Sequence, residues 1–148
     1  MTVALLDVNV LLALFHEEHL HHQVAHEWFA DNGKHGWASC PLTENGLFRI
    51  LGDPARVGHH VPMPEVVDLF NRFCEAGHHT FWVDDLSFRD QDLFHVKSMR
   101  GHKQVTDVYL LGLAVKRKGR LVTFDQHVQP ACVKGARREH LEVLTPAE

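Results

Sequence analysis

The chain has 148 residues, of which 45% are hydrophobic and 23% are charged, a balance typical of one folded domain with its own core. Its formal net charge of -4 provides no bulk attraction to nucleic acids, so a site for a polyanion must be local. The cysteines Cys40, Cys74 and Cys132 form no CxxC pair, which argues against a disulfide framework or a thiolate zinc site. We therefore expect a single cytoplasmic domain over residues 1–148.

The first elements are a short apolar strand over residues 3–6 and an apolar helix over residues 8–15, with Asp7 at their junction. The apolar run is too short to cross a bilayer, contains a carboxylate and lacks a basic leader. We expect neither a signal peptide nor a membrane helix. What remains to be explained is a single acid within apolar sequence.

Later segments alternate between helical and β patterns. Helices are predicted over residues 19–32, 41–51, 65–75, 91–99 and 104–118, strands over 36–40, 80–83, 120–124 and 141–144, and a loop over 52–64. Pro41 suits a first helical turn, and Gly119 suits a helix end. Parallel neighbours need helical crossovers, so the pattern indicates an α/β sandwich with a mainly parallel sheet of about five strands.

Four acids fall where such a sheet places ligand sites. Asp7 and Asp125 follow predicted strands, and Glu44 and Asp107 lie in first turns of predicted helices. If they converge, their charges repel unless cations bind, and oxygen ligands favour Mg²⁺ or Mn²⁺ over zinc. Each acid also has a simpler interpretation as a helix cap, a helix-start charge or a turn residue.

Four sequence blocks together carry a family resemblance. They are LLDVNVLLALF from Leu5, TENGLFRIL from Thr43, QVTDVYLLGLAV from Gln104 and LVTFDQHV from Leu121. In order, spacing and residue type they resemble the PIN-domain family, specifically its VapC-type ribonuclease toxins. The resemblance implies a three-layer α/β/α sandwich and a Mg²⁺- or Mn²⁺-dependent endoribonuclease that leaves 5′-phosphate and 3′-hydroxyl ends.

The resemblance also assigns roles to residues. Asp7, Glu44, Asp107 and Asp125 match the family's four acids. Asp7, Asp107 and Asp125 are expected to hold the metal directly or through water, and Glu44 to position water or a second metal. Asn9, Thr106 and Thr123 match supporting polar positions. The implied partners are RNA, a small antitoxin encoded next door and a second copy of the chain in a homodimer.

Two other functions stay open at this stage. A PIN-like module could bind RNA or an antitoxin without cutting. A phosphatase of the haloacid dehalogenase type also begins with a strand-end aspartate, but its DxD core is not matched, because Asn9 stands where the second acid would be. The chain is also short for that fold.

Basic and histidine-rich segments are ambiguous. Lys116, Arg117, Lys118 and Arg120 form a cluster that could hold RNA phosphates or could simply be a solvated helix end. The chain has 14 histidines, and His22 and His26 have the i,i+4 spacing of a shared metal ligand pair. No third ligand can be named, so a titratable surface is the simpler explanation. Leu47 and Phe48 are candidates for a partner or dimer surface.

Overall fold

In the computed structural model, which describes residues 1–146, strands and helices alternate along the chain. The strands are β1 (Ala4–Leu6), β2 (Trp37–Ser39), β3 (His79–Phe81), β4 (Arg120–Thr123) and β5 (Leu141–Val143). The α-helices are α1 (Val8–Phe15), α2 (His22–Asn32), α3 (Pro41–Leu51), α4 (Pro54–Val57), α5 (Met63–Glu75) and α6 (Val105–Lys116). Short 3-10 turns occupy Gly33–His35, Val96–Ser98, His102–Gln104, Pro130–Cys132 and Arg138–His140.

The five strands form one parallel sheet in the order β3-β2-β1-β4-β5. β1 lies at its centre, where Leu5 pairs with Ala38 on one side and with Leu121 on the other. All five carboxyl ends therefore lie along the same edge of the sheet, and the chain segments that leave β1 and β4 are neighbours there. The predicted α/β/α architecture with a parallel sheet is confirmed.

Two hydrophobic clusters cover the two faces of the sheet. Leu5 and Leu121 point into one cluster, which α6 completes, whereas Leu6 and Val122 point into the other, which α1, α3 and α5 complete. This alternation follows from the pleat of the strands, in which successive side chains face opposite sides. A side chain at a strand end can therefore be assigned to a face by its position relative to these core residues.

The helix predicted over residues 91–99 does not form. Phe94 instead makes an isolated antiparallel bridge to Val133, and only the 3-10 turn Val96–Ser98 is helical. Phe94 is 2% exposed and its ring lies so close to Gly112 of α6 that a Cβ there would be 2.4 Å from a ring carbon. Burial of this aromatic side chain outweighs the weak local helix pattern.

Other boundaries differ by a few residues. α2 begins at His22 rather than at residue 19, and the predicted loop contains α4, whose first turn is capped by the Asp53 side chain. Leu47 is fully buried, so it is not available as a partner surface, whereas Phe48 is partly buried and packs against Phe70. Within residues 1–146 no helix is long and apolar enough to cross a membrane.

Candidate active site

Asp7 sits where the central strand turns into α1. Its Oδ1 accepts a hydrogen bond of 2.7 Å from the Val8 amide, so it caps the helix as the sequence allowed. Its Oδ2 accepts a second bond of 2.7 Å from the Thr123 hydroxyl. Although these bonds favour the charged form, burial is the larger effect and raises the pKa of Asp7, with the nearby Asp125 charge adding to the rise.

The hydroxyl of Thr123, at the end of β4, links three groups of this edge. Besides donating to Asp7, it accepts bonds from the Asn9 side-chain amide at 3.2 Å and from the Asp125 backbone amide at 3.0 Å. Asn9 in turn accepts from the Phe124 amide at 3.2 Å. Thr123 is fully buried, so this network fixes how the chain leaves β4 relative to Asp7. Asn9 and Thr123 thus lie beside the acids that they were expected to support.

Asp107 and Asp125 form a carboxyl pair beside Asp7. Burial, the hydrogen bond to Asp125 and the charges of Asp7 and Asp125 together raise the pKa of Asp107 to about 7. The same hydrogen bond lowers the pKa of Asp125, which also accepts a bond of 2.8 Å from the His127 amide. In the metal-free protein the three aspartates therefore lie close together without a cation to balance their negative charges.

All three aspartates lie on the α6 face of the sheet. Because side chains alternate between the two faces of a sheet, Asp7 and Thr123 lie on the same face as Leu5 and Leu121. Helix α6 covers this face and carries Asp107 in its first turn. Thr106, the residue before it, is exposed. The expected convergence of these three acids is what the structure contains.

Glu44 is held differently. Ser39, at the end of β2, follows the same face as Trp37, and its hydroxyl lies 2.6 Å from Glu44 Oε2. The charge of Glu44 contributes, after burial, to raising the pKa of the Cys74 thiol in α5 to about 11. The Glu44 carboxylate is therefore directed to the α3 and α5 face, where Ser39 anchors it, and the structure does not bring it together with the three aspartates.

The donor chemistry of the site fits a hard divalent cation. Among residues 1–146, no three His, Cys, Asp or Glu side chains form a group that could hold a metal ion. Mg²⁺, however, is usually held through one or two carboxylates and keeps several waters. Burial is the main cause of the raised pKa values of Asp7 and Asp107, and the neighbouring carboxylates add to both. A partly hydrated cation held by one or two of these aspartates fits this arrangement.

The basic cluster predicted at the end of α6 needs correction. Arg120 is 6% exposed, donates to Glu142 at 2.9 Å and to the Thr2 carbonyl, and lies over the Trp28 ring. It is a structural cation at the amino edge of the sheet. Arg117 is paired with Asp85 at 2.8 Å.

Lys116 and Lys118 are exposed, but they lie at the end of α6 opposite to Asp107. At 1.5 Å per residue the helix separates Asp107 from Lys116 by about 14 Å. The chain thus offers its α6 lysines at the edge of the sheet remote from the aspartates.

A closer set of cations was not predicted from the sequence. Arg100, His102 and Lys103 are exposed in the segment that runs directly into α6 and its Asp107. The signal is present as RGHK just before the third block, but the helix expected over residues 91–99 would have placed these residues in an ordinary connection between helices. Their side chains lie at the same end of α6 as the acids.

The histidines do not form a metal site in the described part of the chain. His22 and His26 do face each other, with ring centroids 5.8 Å apart, but Nδ1 of His22 is 2.7 Å from the Ala13 carbonyl. His21 stacks on Phe124, the neighbour of Asp125. Burial lowers the pKa of His19, and the charges of the neighbouring His21, His16 and His22 lower it further.

Comparison with known proteins finds relatives whose sequences match most of the chain. No family model matches it. It is 41% identical over 141 residues to Ribonuclease VapC44 of Mycobacterium tuberculosis, covering 95% of this chain and 99% of that protein. It is 42% identical over 126 residues to Ribonuclease VapC38 of the same species (85% and 87% covered) and 40% identical over 123 residues to Ribonuclease VapC39 (82% and 88%).

Replacing Asp107 with Asn should stabilise the metal-free protein at neutral pH. Folding raises the pKa of Asp107 from 3.8 to about 7. The contribution of Asp107 to the stability of the folded protein is therefore complete below pH 3.8 and is lost as the pH rises through about 7. The melting temperature of Asp107→Asn, measured by calorimetry in EDTA, should exceed that of the unsubstituted protein increasingly from about pH 4 to about pH 7 and by a constant margin above that range. The exposed Asp92→Asn is the control, and a pH-independent difference would contradict the prediction.

Replacing Thr123 with Val should destabilise the fold by about 1–3 kcal/mol, because a buried carboxylate and two donors lose their partner. Urea denaturation at neutral pH measures the loss. Thr123→Ser keeps the hydroxyl and should recover most of the stability. Equal stability of the Val variant and the unsubstituted protein would show that the Thr123 hydroxyl does not hold this edge together.

Proposed function

The chain belongs to the VapC ribonucleases of the PIN-domain family, and on that premise we propose that it is a metal-dependent endoribonuclease, the toxin of a toxin-antitoxin pair. The observation that carries the proposal is the grouping of Asp7, Asp107 and Asp125 at one edge of the sheet, with raised pKa values for two of them. This membership leaves the phosphatase alternative without support. The substrate is RNA, and the bond cleaved is a phosphodiester.

Asp7, Asp107 and Asp125 are the residues that would hold Mg²⁺ or Mn²⁺. When bound, the cation polarises the phosphodiester and lowers the pKa of a water molecule. The protein supplies the frame: Thr123 keeps Asp7 and the start of the Asp125 segment in fixed relation. Asp7 stays in place because its second oxygen caps α1.

Proton handling falls to the more accessible acids. Asp107 has a pKa of about 7 before any cation binds. It is therefore the carboxyl group best suited to release a proton when a cation binds at the site. Asp125 is partly exposed, and its low pKa keeps it ionised. Glu44, anchored through Oε2, has Oε1 left for orienting water or a second cation.

Partners of the site are also part of the proposal. We expect a small antitoxin and a second copy of the chain to cover apolar surface, which includes Val67 and Leu69 of α5 and Phe81 and Val83 at the β3 edge, between 37% and 56% exposed. Covering these side chains in a complex would remove their apolar area from water.

One observation favours a second candidate, a module that binds RNA or an antitoxin without cutting. The described residues contain no closed set of three metal ligands. Such a module would keep the fold and the RNA affinity but would show no cleavage with any divalent cation. A cleavage assay with and without the cation separates the two functions.

Incubation with total RNA should give cleavage with Mg²⁺ or Mn²⁺ and none in EDTA. Asp7→Asn and Asp107→Asn should each abolish it, because each removes a negative oxygen ligand, while circular dichroism shows the fold unchanged. Asp92→Asn, an exposed carboxylate elsewhere, should cut normally. Undiminished cutting by both site variants would refute the assignment, and mapping the cut ends in cellular RNA after induction identifies the substrate.

RNA affinity should depend on the segment before α6 more than on the end of α6. In an Asp7→Asn background, Arg100→Gln with Lys103→Gln should weaken RNA binding and reduce the slope of log affinity against log salt by about 0.7 for each phosphate that is no longer neutralised. The matched pair Lys116→Gln with Lys118→Gln removes the same charge at the far edge and should have little effect. Fluorescence anisotropy at several salt concentrations distinguishes the two, and the reverse ranking would contradict the prediction.

A further inference from the structure

A second polar cluster lies on the face of the sheet opposite to the aspartates, and the function proposed above makes no use of two of its three members. It consists of Ser39, Glu44 and His79, which come from β2, the first turn of α3 and β3. Ser39 Oγ lies 2.6 Å from Glu44 Oε2 and 2.7 Å from His79 Nε2. Ser39 is fully buried, so its hydroxyl has these two side chains as its partners.

The number of protons in this cluster determines which group donates each hydrogen bond. Ser39 carries one hydroxyl proton, and its hydroxyl is the donor in the bond to Glu44 Oε2. Nε2 of His79 must therefore carry the proton that it donates to Ser39. The result is a relay from His79 through Ser39 to Glu44, with each bond short enough to be well formed.

The far end of the relay is held rigidly. The His79 ring lies 4.4 Å from the Trp37 ring and contacts Phe70 edge-on at 6.1 Å. Trp37 and His79 are also direct register partners in the sheet. Burial lowers the pKa of His79, which keeps the ring neutral with one N–H to give.

The near end is constrained by close packing. Gly46, two residues after Glu44, lies against Val8, so that a Cβ at Gly46 would be 2.7 Å from Val8 Cγ2. The second turn of α3 is thereby packed against the residue that follows Asp7. The helix that carries Glu44 is thus held against the start of α1, while one oxygen of the Glu44 carboxylate is tied to Ser39.

We propose that Ser39 and His79 are positioning residues that orient the Glu44 carboxylate for the cleavage of RNA. The inference rests on the proposed function. Both residues act through Glu44, whose Oε2 they hold so that Oε1 is presented in one direction. Partners that orient a functional side chain in this way typically change activity by about 10- to 100-fold when removed.

Two substitutions of His79 separate this role from simple packing. His79→Phe keeps an aromatic ring against Trp37 but removes the N–H, whereas His79→Gln loses the ring but keeps an N–H donor near the Nε2 position. A relay predicts that kcat falls about 10- to 100-fold in His79→Phe with KM for RNA unchanged, and that His79→Gln recovers most of it. Packing alone predicts the opposite order. His60→Phe and His60→Gln, at an exposed histidine, are the matched controls.

A double-mutant cycle tests whether the effect passes through Glu44. In a Glu44→Gln background, Ser39→Ala and His79→Phe should cause no further loss of kcat, because the group they orient is already altered. Losses that multiply as if independent would overturn the relay.

A third measurement does not depend on catalysis. In the metal-free protein, ¹⁵N NMR should show His79 protonated at Nε2 with a slowly exchanging proton, and Ser39→Ala should speed that exchange. If the unsubstituted protein cuts no RNA, the proposed function fails while this measurement still decides whether the relay exists. If it cuts RNA and His79→Phe is as active as the unsubstituted protein, or if Nε2 is unprotonated, the inference is wrong.

Discussion

The Thr123 hydroxyl is the contact on which the geometry of the candidate site depends. β1 and β4 are parallel neighbours, so the segments that leave them lie side by side, but pairing alone does not set the direction of the two aspartates. The hydroxyl does so because it donates to Asp7 and accepts from the Asp125 amide. One buried group thereby converts the topology of a sheet into a defined arrangement of carboxylates.

That arrangement is electrostatically unfavourable in isolation, which indicates what the site is built for. Hydrogen bonds from Val8 and Thr123 favour the charged form of Asp7, yet burial and Asp125 still raise its pKa. Burial, the hydrogen bond to Asp125 and the charges of Asp7 and Asp125 likewise raise the pKa of Asp107, to about 7. A fold selected for stability alone would separate these acids or pair them with bases. The cation in the proposed function would offset this unfavourable grouping.

Much of the fold and part of the site follow from sequence patterns. Hydrophobic periodicity along the chain predicts the parallel sheet. The positions of strand ends and helix starts predict the capping role of Asp7 and the convergence of Asp7, Asp107 and Asp125. All of these signals are local in the sequence. The helix predicted around Phe94 was wrong because the burial of this ring depends on Gly112, far away in the chain. The burial of Arg120 likewise depends on Thr2 and Glu142, which become its neighbours only after folding.

The same distinction explains Glu44. Its position in the first turn of a helix after a strand is readable from sequence and predicts a place at the carboxyl edge. Which face its carboxylate takes is decided by Ser39, whose own direction follows from the pleat of β2, and by His79 on the next strand. The aspartate cluster and the relay therefore occupy opposite faces of the sheet. By tying one oxygen of Glu44 to the Ser39 hydroxyl, the fold holds the fourth acid apart from the three whose carboxyl groups act on one another, and so avoids the repulsion that full convergence would add.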